Sequence, residues 1–183
     1  MEIKHISTPL TQEKLKDLKS GDSVLISGTM YTGRDAAHQR LVDAINNGDE
    51  LPFDPKDAII YYVGPAPTKP GNVIGSAGPT TSYRMDDLTV PLLQLGLTGM
   101  IGKGLRSQTV VDSMQKNGAI YFAAIGGAGA LIANTIKECE IIAFEDLGPE
   151  AVRKLTVVDF PAVVIIDTKG NNLYETERIK YQK

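Results

Sequence analysis

The chain has 183 residues, 42% hydrophobic, 22% charged and 6% aromatic with no Trp, and 19 Lys and Arg against 22 Asp and Glu give a net charge of −3. That length and balance predict one globular domain over residues 1–183 with a core of its own. They supply no global basic field to draw nucleic acid or anionic lipid. The single cysteine, Cys139, excludes an internal disulfide and any cluster or zinc site built from several thiolates of this chain, so no metal site is expected in it.

In chain order, residues 2–7 read as a short strand and 11–18 as a charged helix ended by Ser20-Gly21-Asp22. The start Met1-Glu2-Ile3-Lys4-His5 lacks the cationic and apolar regions of a secretory signal, and no apolar run reaches membrane-span length, so a cytoplasmic protein is expected. Residues 23–27 form an apolar strand-type run, and Gly28 to Gly33 leads into a helix over 34–47 closed by Gly48. On that helix Ala37, Leu41, Ala44 and Ile45 recur at helical spacing and face the core. Residues 58–63 read as a buried strand. The stretch 64–71, with three prolines, reads as a surface loop, because proline supplies no ladder donor. A strand over 73–77 follows, broken by Gly78-Pro79, then a helix from Thr81 or Ser82 to Gln94, with Pro91 set against its continuity.

From Leu97 strands and helices alternate: strand 97–101, glycine loop 102–104, helix 107–116 stopped by Asn117-Gly118, and strand 119–124. A small-residue helix to Lys137, strand 140–144, a polar connection at 148–153 and strand 163–167 complete the pattern. This half predicts parallel pairing covered by helices, and the less regular first half a mixed sheet, so the class is α/β.

Chemistry concentrates at the element boundaries. Gly33-Arg34-Asp35-Ala36-Ala37-His38 puts an arginine at a helix start, with His38 one turn along on the same face, either touching a ligand or packing to orient Arg34. Gly78-Pro79-Thr80-Thr81-Ser82-Tyr83-Arg84 sets three hydroxyls and an arginine after a rigid turn, more than one helix cap requires. Gly102-Lys103-Gly104 holds a lysine between glycines at a strand end, although the P-loop pattern fails on both sides of it. Each charge-assisted arginine–carboxylate hydrogen bond contributes roughly 1.5–3 kcal/mol, so two or three converging cations can hold a small diacid. Gly126-Gly127-Ala128-Gly129 lies where a dinucleotide-binding turn would, but the third glycine of that pattern falls on Ile132, and close packing explains small residues equally well. Cys139 has no base beside it and reads as an inert thiol.

These stretches, with Ser27-Gly28-Thr29, Leu105-Arg106-Ser107, Ile125-Gly126-Gly127, Glu145-Asp146-Leu147-Gly148, Asp159-Phe160-Pro161-Ala162 and Asp167-Thr168-Lys169-Gly170-Asn171, resemble a known family over nearly the whole chain. It is the β subunit, equivalently the C-terminal domain, of class I iron–sulfur fumarate hydratases and their relatives the L-tartrate dehydratases. The resemblance implies a swivelling β/β/α domain with mixed sheets and flanking helices. It also implies a hetero-oligomer whose active site is shared with an α subunit carrying a [4Fe–4S] cluster. That partner's open iron would bind a substrate carboxylate and hydroxyl as a Lewis acid, while cations of this domain clamp the dicarboxylate. Carried over by position, the clamp arginines fall on Arg34 and Arg84 and the lysine on Lys103, with Thr81 beside them. The hydroxyl proposed in the family as catalytic base falls on Thr80, and His38 and Arg106 stand behind these groups. Leu105-Arg106-Ser107 resembles the fumarase branch. Two readings stay beside hydration of fumarate to malate: tartrate as the substrate, and a stand-alone module binding a small anion or nucleotide.

Overall fold

A computed structural model describes residues 2–124 and 127–181, with side chains described as far as residue 177. Seven strands, β1 (Ile3–Ser7), β2 (Ser23–Thr32), β3 (Ile59–Tyr61), β4 (Gly99–Gly102), β5 (Ile120–Ala123), β6 (Ile136–Ala143) and β7 (Val152–Ile166), form one mixed sheet in the order β1-β2-β3-β4-β5-β7-β6. Helices α1 (Gln12–Leu15), α2 (Asp35–Asn47), α3 (Asp86–Gln94), α4 (Gln108–Asn117), α5 (Gly129–Thr135) and α6 (Leu173–Tyr181) flank it. Strands β2 to β5 pair in parallel, and β7 runs antiparallel to β5, β6 and β2. The β2–β7 pairing closes the sheet into a small barrel.

Two long strands make closure possible. The second half of β2 pairs with the first half of β7, as in Met30↔Leu155, and its first half with the second half of β7, as in Val24↔Ala162. Between them the register shifts around Gly28 and Asp159, a bulge that bends both strands.

Strand alternation sorts side chains into two cores. Ile59, Tyr61, Ile101, Ile120 and Phe122 point into the barrel with Val24, Ile26, Leu155, Phe160 and Val164. Their neighbours Ile60, Tyr62, Met100 and Tyr121 face the other way, onto Ala37 and Leu41 of α2, Leu92 and Leu93 of α3, and Val110 and Met114 of α4. A strand buried on both faces reads as a continuous apolar run, which is why Ala-Ile-Ile-Tyr-Tyr-Val is legible as one. Helix ends follow local chemistry: Ser107 Oγ accepts from Val110 N at the start of α4, and Gly48 and Gly118 close α2 and α4 in the left-handed conformation.

Three expectations are corrected, and one element is new. Residues 73–77 are not a strand; they run beside a loop and α5, with Ala66 N–H donating to Ser76 O at 2.9 Å and Ala77 N–H to Gly129 O at 3.1 Å. The polar stretch before residue 163 is largely strand: β7 begins at Val152, and its buried Val152, Leu155 and Val157 are spaced among polar residues of a half-buried strand. Strand β6 starts at Ile136, where a helix was expected, and α5 is correspondingly short. Helix α6 was not expected; Asn172 Oδ1 accepts from Tyr174 N at 3.1 Å at its start. No helix among the described residues is long and apolar enough to cross a membrane.

Candidate functional site

Beyond the carboxyl ends of β3 and β4 the sheet takes in a short extra rung. Thr80 N–H donates to Tyr62 O at 2.7 Å, Lys103 N–H to Thr80 O at 3.3 Å, and Ser82 N–H to Lys103 O at 2.9 Å. Bridges Val63↔Pro79 and Thr81↔Lys103 flank it. Carboxyl ends of parallel strands are where α/β sheets present ligand crevices, since the loops diverge there. The rung places Thr80, Thr81 and Lys103 side by side. Thr80 and Thr81 are half-buried, and neither hydroxyl finds a hydrogen-bond partner among the described residues. Lys103 is exposed and its ammonium is likewise unpaired there.

What fixes the lysine loop lies below it. A Cβ on Gly102 would collide with Ser82 Oγ and stand 2.9 Å from Tyr62 Cδ2, so only glycine lets the 3-10 turn over Ser82–Met85 sit on β4. Tyr121 OH donates to Gly104 O at 2.9 Å and therefore accepts from Ser82 Oγ at 2.9 Å. Burial pushes the Tyr121 phenol up, keeping it a neutral donor.

Two arginines lie near this rung, both beside Asp35. Arg34 immediately precedes α2, and its Nη1 lies over Gly64, 2.6 Å from where a Cβ would stand. Its Nε is 3.2 Å from Glu150 Oε1, close enough to pair charge but not aligned as a hydrogen bond, so that buried N–H lacks an acceptor. Glu150 ends a 3-10 stretch, Glu145–Glu150, whose Asp146 forms a two-pronged pair with Arg40 of α2. Arg84, 45% exposed, sits in the turn after Thr81 and donates from Nε to Asp35 Oδ1 at 2.9 Å.

Beneath these groups lies a buried polar layer. His38 is fully buried; its Nδ1 is 2.9 Å from Arg34 O, which can only accept, so Nδ1 carries the proton and Nε2 is left without a partner. Burial lowers its pKa to about 4, so it is neutral at pH 7. Arg106 has no exposed side-chain surface: Nε donates to Asp86 Oδ1 at 2.6 Å, Nη1 to Tyr62 OH at 3.1 Å and Nη2 to Thr89 Oγ1 at 2.9 Å. Burial works against its charge, but Tyr62 and Asp86 outweigh it and raise its pKa. Arg106 thus fixes the start of α3 and the loop after Lys103 from inside, since Asp86 Oδ2 also accepts from Ser107 N at 2.6 Å.

Comparison with known proteins adds a decisive match. Residues 2–177 match the family described as Fumarase C-terminus. The chain belongs to that family. It is 46% identical to the anaerobic class I fumarate hydratase of Escherichia coli K12, over 82% of this chain and 28% of that protein. It is 42% identical to fumarate hydratase 2 of Leishmania major, over 89% and 29% respectively. A Methanocaldococcus jannaschii protein named "Putative L(+)-tartrate dehydratase subunit beta" is 39% identical over 95% of this chain and 93% of its own length. The chain thus spans under a third of the fumarate hydratases, but nearly all of the β-subunit-type relative.

Within this family member, the donor set does not suit the iron–sulfur cluster that the family resemblance implies. Cys139 lies on β6 against the barrel core, where burial raises its pKa, away from the thiolate a cluster needs. No group of three or more His, Cys, Asp or Glu among the described residues could hold a metal ion. Of the glycine turn, Gly126 lies outside the described residues, while a Cβ on Gly129 would stand 3.0 Å from Gly78 N. Close packing against the Gly78 turn accounts for that glycine. Sequence reasoning passed over Asp35 as a flanking residue and missed Gly64 and Glu150. Neither carried a local signal, because each acts on Arg34 across the fold.

Proposed function

We propose that this chain is the β-subunit half of a fumarate hydratase, a hydro-lyase that interconverts fumarate and L-malate at a face shared with an α subunit. The rung that sets Thr80 and Thr81 beside Lys103, together with Arg34 and Arg84 gathered on Asp35, supports this most directly. Guanidinium groups and an ammonium beside free hydroxyls suit a small carboxylate substrate.

Charge counting argues that the face is half a site. Arg34, Arg84 and Lys103 stand against Asp35 and Glu150, leaving one net positive charge for a substrate that carries two negative ones. In this reading the second substrate carboxylate is met by groups across the face. There the open iron of a [4Fe–4S] cluster on the α subunit would bind that carboxylate as a Lewis acid. In this reading Arg34, Arg84 and Lys103 bind and orient the diacid, Thr81 donates to it, and Thr80 Oγ1 takes the carbon-bound proton in dehydration and returns it in hydration. A threonine hydroxyl is a poor base in water, and the neighbouring cations favour its deprotonated form. His38 and Arg106 act from below by fixing α2 and the Lys103 loop.

Tartrate is the second reading, favoured by the match to a β-subunit-type relative along nearly its whole length. Rates of the assembled complex on fumarate and on tartrate, measured in parallel, decide between them: faster turnover of tartrate overturns the fumarate assignment.

A further inference from the structure

Asp35 stands between the two arginines that the functional reading assigns to substrate. Its Oδ1 accepts from Arg84 Nε at 2.9 Å, and its Oδ2 lies 3.9 Å from Arg34 Nε. Glu150 Oε1 lies 3.2 Å from the same Nε of Arg34. Arg84 Nε donates a hydrogen bond to its carboxylate, while Arg34 Nε only pairs charge with the carboxylates near it. The terminal nitrogens of both arginines make no hydrogen bond among the described residues. Instead Arg34 Nη1 lies over the bare backbone of Gly64.

This arrangement matters because a guanidinium recognises a carboxylate with two parallel N–H groups in one plane. A protein carboxylate on the terminal nitrogens would compete with the ligand, whereas one on Nε fixes the plane and leaves the outer edge open. The same carboxylates reduce mutual repulsion between cations that must otherwise stand close together without a ligand. Asp35 is the first residue of α2 and one third exposed, so its position is set by the helix start and not by a long flexible stem.

We propose that Asp35 is a positioning residue that holds Arg84 by its Nε edge, keeping the outer edge of that guanidinium turned toward the substrate carboxylate. The proposal rests on the dicarboxylate reading above. The test uses the cluster-loaded two-subunit complex with Asp35→Ala and Asp35→Asn. The alanine variant is expected to raise KM for the substrate about tenfold with a smaller change in kcat, the loss of roughly one oriented charge-assisted contact. Asn keeps an oxygen that accepts from Arg84 Nε–H and is expected to restore most of KM. If both variants lower KM, Asp35 is a mere opposing charge; if both lower the melting temperature and leave KM alone, it only supports the fold. Either result overturns the proposal. Should the wild-type complex turn over neither fumarate nor tartrate, the functional reading fails. The positioning claim is then read from the arginine Nε–H resonances of the full chain. Slow exchange of Arg84 Nε–H in wild type and Asp35→Asn, lost in Asp35→Ala, supports it; equal exchange in all three overturns it.

Discussion

Gly64 tests the placement of Arg34 without touching any charge. Its backbone is not in the left-handed region, so alanine is conformationally allowed, but the new methyl would meet Arg34 Nη1 and Cδ. Gly64→Ala is expected to displace the guanidinium and raise the KM of the assembled enzyme by about tenfold, with melting temperature little changed because the clash is with a flexible side chain. His38 gives a pH signature of the fold. Its folded pKa is about 4 against 6.5 in the unfolded chain, so between those values only the unfolded state takes up the proton. Stability is therefore complete above pH 6.5 and falls as pH drops toward 4, by on the order of 3 kcal/mol. Denaturant unfolding from pH 7 to 4 should show that loss, and His38→Leu should lack it. Arg106→Met is expected to cost about 3–5 kcal/mol in the same assay, because Asp86 keeps a buried, unpaired charge.

Elements decide which of these residues meet. The rung at 79–81 brings hydroxyls and lysine together only because Gly102 lets the turn over Ser82–Met85 lie on β4. Gly102→Ala should force that turn away, costing about 1–3 kcal/mol of stability and raising KM with it, read by thermal melts and steady-state kinetics side by side. The apolar runs of β3, β4 and β5 and the capped helices α2 and α4 were legible in sequence, because their patterns are local. The 73–77 stretch looked like a strand because Val73 and Ile74 are apolar, yet its backbone partners come from Ala66 and Gly129. Strand β7 was half hidden for the opposite reason: its polar residues lie on the outer face of a strand whose inner face is core. Of the candidate site, Arg34, Thr80, Thr81, Arg84 and Lys103 were singled out by the motifs at element boundaries. Gly64 and Glu150 were not, and Asp35 was legible only as a neighbour of Arg34, since their importance lies in contacts between segments distant in sequence.

Taken whole, the molecule presents cations on an open face and holds its one thiol against the barrel core. The barrel supplies a rigid base, two cores secure its inner and outer surfaces, and the strand ends carry the chemistry outward. In the proposed reading this face is half of a shared dicarboxylate site, and the account turns on that incompleteness. Fumarate hydration by the purified chain, followed by the same assay after anaerobic reconstitution with a cluster-loaded α subunit, measures it most directly. The account predicts no turnover from the chain alone and turnover from the complex; full activity of the lone chain in metal-free buffer would contradict it.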